Sequence, residues 1–245
     1  MRKAIIVVSF GTTHSDAEAG CIVPVERAIA AAFPDREVRR AWTSRIIARR
    51  LAARGEMVEN ETEALARLRR EGFEDIAFAS THIIRGQEYD RVTAVADGLP
   101  VSAPLLDTDE DLKWMAGQLD GIAGDEGRTL LVMGHGTDHA ADATYARLRT
   151  MLSDRVKLAC VEGNLALEGI LDELEAVPGR RLVLMPLMLV AGDHAKNDLA
   201  GDAPDSWRNV LLARGFDVRA RLTGLGALPA VQRRFAGKAL AAVKR

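Results

Sequence analysis

Short apolar runs rich in β-branched residues alternate along the chain with longer segments whose apolar positions recur at i, i+3 and i+4. The short runs predict strands at 3–9, 37–42, 75–80 and 101–104, and a second set at 129–133, 157–162, 181–186 and 217–221. The longer segments predict helices at 60–71, 89–97, 109–119, 140–152, 165–175 and 230–243. A further helix is expected from Ser15–Asp16 with a bend at Pro24, where proline removes a backbone donor and crowds the preceding turn. Strands alternating with helices throughout predict the α/β class, with parallel sheets covered by helices on both faces.

The pattern also repeats. Phe10-Gly11-Thr12-Thr13-His14 follows the first strand of one half, and His135-Gly136-Thr137-Asp138-His139 follows the first strand of the other. Later, Gly86-Gln87-Glu88 occupies the place that Gly192-Asp193-His194 occupies in the second half. Two matched landmarks in the same order predict a duplication. The alignment sets Phe10 opposite His135 and Glu88 opposite His194. The polar, glycine-containing stretch 120–128 is the expected boundary. That gives an N-terminal lobe of 1–122 and a C-terminal lobe of 123–245, with the last helix packing back on the first lobe.

Composition narrows the partners. Lysine plus arginine number 33 against 35 aspartate plus glutamate, a formal charge of −2, so no bulk charge points to nucleic acid or a membrane surface. Hydrophobic residues at 48% and charged residues at 28% are globular composition, which excludes disorder as the main state. The longest apolar stretch, 182–191, contains Pro186 and is about half of the roughly 20 residues that a spanning helix needs. Cys21 and Cys160 stand far apart without CxxC spacing, so neither a disulfide framework nor a thiolate zinc site is expected. The apolar run 4–10 is too short for an export signal and reads as a strand, so a cytoplasmic, reducing location is expected.

In open parallel α/β sheets the loops at the carboxyl ends of the strands gather the functional residues. Three candidates occupy such ends in the second half: His135, Glu162 and His194. Two imidazoles and a carboxylate suit a divalent transition metal and leave coordination positions for a substrate. Each has a plainer reading as a hydrogen-bonded loop residue, and Gly134 and Gly136 serve a turn as readily as a ligand. His14 and His139 fall at helix starts, and His82 closes a strand, packed or catalytic. There is no GxxxxGK[ST] phosphate loop, no complete dinucleotide fingerprint around Gly224-Leu225-Gly226, and no GxSxG elbow. The His-Gly-Thr sequence superficially resembles histidine phosphatases, but Gly134 stands where those carry arginine.

At larger scale the motifs resemble one family. Val8-Ser9-Phe10-Gly11-Thr12, the stretch from Thr81-His82-Ile83-Ile84-Arg85-Gly86 through Glu88-Tyr89, Met133-Gly134-His135-Gly136, and the long block from Met185-Pro186 to Asn197-Asp198 are similar to the anaerobic-type sirohydrochlorin cobaltochelatases, the CbiK family of class II chelatases. The likeness runs from the first strand to Gly226.

The resemblance implies two similar lobes, each a parallel sheet flanked by helices, with the active-site cleft between them. It also implies insertion of Co²⁺ into sirohydrochlorin without ATP, in cobalamin biosynthesis. By the same resemblance His135, Glu162 and His194 match the cobalt-binding positions, His135 matches the proton acceptor, and Glu88 matches an acidic residue facing them from the other lobe. Phe10 and the segment around Met188 are expected to offer apolar faces to the macrocycle, and Arg85 and Lys196 to meet its carboxylates. Co²⁺ enters as substrate and no nucleotide cofactor is expected. Iron or nickel insertion into the same ring, a non-catalytic metal or tetrapyrrole carrier, and assembly into a homo-oligomer stay open at this point. The general affinity order of divalent ions does not select cobalt.

Overall fold

A computed structural model of the chain describes residues 1–244. Among the described residues, seven strands form two wholly parallel sheets. β1 (Arg2–Ser9), β2 (Glu37–Trp42) and β3 (Phe73–Ser80) are ordered β2-β1-β3. β4 (Thr129–Gly134), β5 (Val156–Cys160), β6 (Arg181–Pro186) and β7 (Asp217–Ala220) are ordered β5-β4-β6-β7. The α/β expectation is thereby met. The central strand of each sheet is apolar on both faces, with Ala4–Val8 and Leu130–Met133 all at zero exposure.

The duplication is visible in topology. The order 5-4-6 repeats 2-1-3, and the fourth strand of the second sheet has a vestigial counterpart in the first. Val101 makes a single parallel bridge to Phe78 on β3, as β7 lies beside β6. The strand expected at 101–104 is reduced to that bridge because the chain turns away through Pro104 and Leu105, whose backbone N–H is held by the His82 carbonyl.

The chain divides into two compact units, Met1–Leu105 with Gly226–Arg245, and Leu106–Leu225. The division therefore precedes the stretch 120–128 instead of falling inside it. Residues 120–126 belong to the helix Asp109–Glu126, which opens with a Thr108–Asp111 capping box and ends at Gly127 in a left-handed conformation. Its buried stripe Leu112, Met115, Ala116, Leu119 and Ala123 carries the helix through Asp120 and Gly121, overriding their weak helical propensity. The final helix, Pro229–Val243, packs on β3 and on the helix Val23–Ala32 of the first unit.

Two helices escape the periodicity argument. Arg45–Ala52 buries only Leu51, and Trp207–Ala213 buries only Trp207 and Leu211, so neither writes a long apolar stripe. At Pro24 the chain does not simply bend. A π-turn over Glu18–Ile22 precedes it, and the proline falls in the first turn of Val23–Ala32, where its missing donor costs little. No helix among the described residues is long and apolar enough to cross a membrane.

Candidate metal site and the family it belongs to

In each unit a turn of the same design follows the central strand. Gly11 and Gly136 both take positive φ, +99° and +76°, and Thr12 and Thr137 each accept a hydrogen bond from the backbone N–H two residues on, at His14 and His139. Gly86 and Gly192 likewise open equivalent helical turns, their carbonyls accepting from Asp90 and Lys196 at 3.0 Å. Glu88 and His194 thus hold matching places in the two units.

His135 leaves the end of β4. Its Nδ1 lies 2.8 Å from the Gly136 carbonyl, which can only accept, so Nδ1 is the donor and in the neutral ring Nε2 keeps its lone pair. His194, in the first turn that leads into Ala195–Leu199, sets its Nδ1 at 2.6 Å from Asp198 Oδ2, with the same consequence. The two rings meet edge to face with centroids 4.8 Å apart. An imidazole with its proton on Nδ1 and the Nε2 lone pair available is the tautomer that binds a metal, and Asp198 is the carboxylate partner that ligating histidines commonly have.

Glu162 follows β5 in the loop, two residues beyond the strand's last residue. Its backbone N–H donates to the His135 carbonyl at 2.8 Å, and its carboxylate, 59% exposed, reaches within 3.9 Å of His135 Nδ1. It therefore lies beside His135, at the Nδ1 edge of the ring. No group of three or more His, Cys, Asp or Glu among the described residues forms a ready metal cluster. The two histidines are brought together, and the glutamate neighbours His135. Cys160 takes no part: burial above all, and secondarily the Asp142 charge, pushes its thiol up to about 12.

The remaining candidates have definite surroundings. Phe10 is 45% exposed at the mouth of its turn, an unusual position for so large an apolar ring. Glu88 bonds Arg91 through Oε1 at 2.8 Å, while its Oε2 is buried without a partner. Arg85 lies over the Tyr89 ring at 5.1 Å and reaches the Tyr89 hydroxyl. Met188 is partly buried against the core of the second unit, and Lys196 lies within the Ala195–Leu199 turn. His139 caps its own turn by accepting from the Ala141 N–H. His82 is held by Ser80 and Thr43 hydroxyls, and burial lowers its pKa to about 4, so it stays neutral.

The cobalt chelatase (CbiK) family model matches residues 3–244. The chain belongs to that family. It is 37% identical over 252 residues to a sirohydrochlorin cobaltochelatase of Salmonella typhimurium, covering 96% of this chain and 94% of that one. It is 33% identical over 232 residues to the sirohydrochlorin cobaltochelatase CbiKC of Nitratidesulfovibrio vulgaris, covering 88% and 81% of the two chains. Among solved structures, SirB from Bacillus subtilis with Fe³⁺ matches with a TM-score of 0.68 at 13% identity, covering 99% of this chain and 96% of that one. At that identity the likeness concerns the fold alone. Asp198 is the functional candidate that sequence reasoning passed over. The signal was present in its i+4 spacing from His194 within one turn.

Proposed function

We propose that the chain is a sirohydrochlorin cobaltochelatase, inserting Co²⁺ into sirohydrochlorin for cobalamin biosynthesis and using no nucleotide. Membership of the CbiK family, with curated cobaltochelatases similar over nearly the whole chain, supports the reaction. The observation that carries the site is the pair His135 and His194, each with Nδ1 tied to an acceptor and Nε2 left to bind.

Insertion exchanges one divalent ion for two pyrrole protons. The ion is held first by Nε2 of His135 and of His194, and by Glu162 once its exposed carboxylate swings towards them. Open positions let the macrocycle nitrogens replace the protein ligands one at a time, so the ion is never returned to bulk water. An imidazole bound through Nε2 cannot use that lone pair as a base. His135 therefore acts in sequence, delivering the ion and then accepting a pyrrole proton on the vacated nitrogen. Glu88 takes the other proton. Its Oε2 is buried without a hydrogen-bond partner, which leaves that oxygen open to a proton from the ring. Phe10 supplies an apolar face for the ring, as Met188 does, and Lys196 and Arg85 meet the carboxylate rim.

The test is the absorbance change of purified protein with sirohydrochlorin and Co²⁺, no nucleotide added. A chelatase accelerates metallation well above the spontaneous rate. A carrier binds both without acceleration, and faster insertion of Fe²⁺ or Ni²⁺ than Co²⁺ would reassign the metal.

A further inference from the structure

Asp142 is a buried carboxylate, 6% exposed, that no step above uses. It ends the short turn Ala140–Asp142 that follows the His135 loop. Its Oδ1 accepts from the Thr137 backbone N–H at 3.2 Å. Its Oδ2 accepts from the Asn164 backbone N–H at 3.1 Å and from the Asn164 side-chain amide at 3.0 Å. One oxygen thus holds the loop that carries His135 and the other holds the loop that carries Glu162.

The geometry around this bridge leaves little play. The backbone pairing of β4 with β5 continues past both strand ends, through Val161 N–H to the Gly134 carbonyl at 3.0 Å and Glu162 N–H to the His135 carbonyl at 2.8 Å. A Cβ on Gly163 would stand 2.5 Å from Asp142 Oδ1, so the second loop is packed directly against the carboxylate. Desolvating a carboxylate is expensive, and neutral N–H donors offset that cost only when several converge. A buried acid spent on two loop tips, where a backbone turn or a serine would suffice for one, points to a requirement on their relative position.

We infer that Asp142 is a positioning residue for the cobalt site, fixing the separation of His135 and Glu162 by clamping both loops with one carboxylate. The inference rests on the functional reading above. It makes the second-unit site a preset pair of loops rather than two independent ones, so the ion meets His135 and Glu162 at a fixed spacing.

The experiment measures binding of Co²⁺ alone, by titration calorimetry and by the ligand-field absorption bands of the bound ion, alongside thermal unfolding of the same proteins. Asp142→Asn keeps the shape but turns an N–H donor towards a donor, and is expected to weaken Co²⁺ binding about 10–100-fold and to shift the bands. Asn164→Ala removes one of the three bonds while sparing the acid, and is expected to weaken binding by less. Asp111→Asn is the control: that carboxylate is also buried in the second unit and accepts from the Asp107 and Thr108 N–H groups and the Thr108 hydroxyl, bonds that lie within the cap of its own helix Asp109–Glu126. It is expected to lower the unfolding temperature and leave Co²⁺ affinity and spectrum as in the wild type.

If Asp142→Asn does not fold, Asn164→Ala against Asp111→Asn decides. Unchanged affinity and bands in the foldable loop variants overturn the inference. So does an equal loss in Asp111→Asn, which would show only general destabilisation. Wild-type protein that holds no Co²⁺ overturns the functional reading and this inference together, whereas wild-type binding with indifferent loop variants overturns this inference alone.

Discussion

The imidazole of His135 abuts that of His194 edge to face, their planes at 89° and centroids 4.8 Å apart, although 59 positions separate them in the sequence. The contact exists because β4 and β6 are hydrogen-bonded neighbours and each histidine leaves the carboxyl end of its own strand region. His135→Ala and His194→Ala are each expected to cut the metallation rate more than the roughly 10–100-fold typical of losing an outer partner of a ligand. Circular dichroism of both variants should match the wild type, because the loops lie outside the packed sheet. Wild-type rates in folded variants would remove both residues from the site.

Asp198 holds His194 by a bond of 2.6 Å. Asp198→Asn keeps an acceptor but loses the charge, and Asp198→Ala loses both. Co²⁺ affinity is expected to fall in that order, reaching about 10–100-fold for the alanine variant. Calorimetric titration with Co²⁺ checks it, and equal affinity in all three proteins would make the pair a surface contact only.

Glu88→Gln removes the proposed proton acceptor while keeping the side chain's shape and an oxygen for Arg91. Slower turnover with Co²⁺ affinity little changed is the expected outcome, read from initial metallation rates and a separate Co²⁺ titration. A large loss of affinity would instead make Glu88 a ligand.

Gly136 allows no side chain. A Cβ there would come within 1.8 Å of the Glu162 carbonyl oxygen at a φ of +76°. Gly136→Ala should therefore displace the loop that bears His135 and cost more than about 2 kcal/mol, since left-handed strain adds to a backbone clash. Urea unfolding measures the cost, and a change within 0.5 kcal/mol of zero, the range of inert surface substitutions, would contradict the packing.

His82 gives a pH dependence of known sign. Burial lowers its pKa from 6.5 to about 4, so the folded protein favours the neutral ring and the unfolded chain takes the proton first as pH falls. Its contribution is complete above pH 6.5 and is lost as the pH falls from there towards 4. His82→Gln should flatten the acid limb of stability between those limits by about 1–3 kcal/mol relative to wild type, measured as urea midpoints. A variant and wild type losing stability in parallel would mean that His82 is not buried neutral.

Much of this was legible because the duplication writes each landmark twice. The Gly-Thr turns and the paired helix starts stand in matching sequence contexts, and their hydrogen bonds repeat in the structure. The strand ends bearing His135 and Glu162 were readable from apolar runs stopping at polar residues. The division of the chain was not, because glycines at 121 and 124 suggest a linker whereas the buried stripe of Asp109–Glu126 keeps them helical. The helix Arg45–Ala52 was hidden because eight residues with one buried leucine are too few for its amphipathic pattern to recur over several turns. Asp142 was invisible for a related reason: its partners are backbone N–H groups, and no residue pattern encodes which backbone a carboxylate will reach.

The central claim is that Co²⁺ is held by His135 and His194. Anomalous diffraction at the cobalt edge from Co²⁺-soaked crystals tests it most directly. The account predicts a single strong peak bound to Nε2 of both histidines, with the Glu162 carboxylate turned onto it. A peak elsewhere, or a bound ion that leaves either Nε2 uncoordinated, would contradict it.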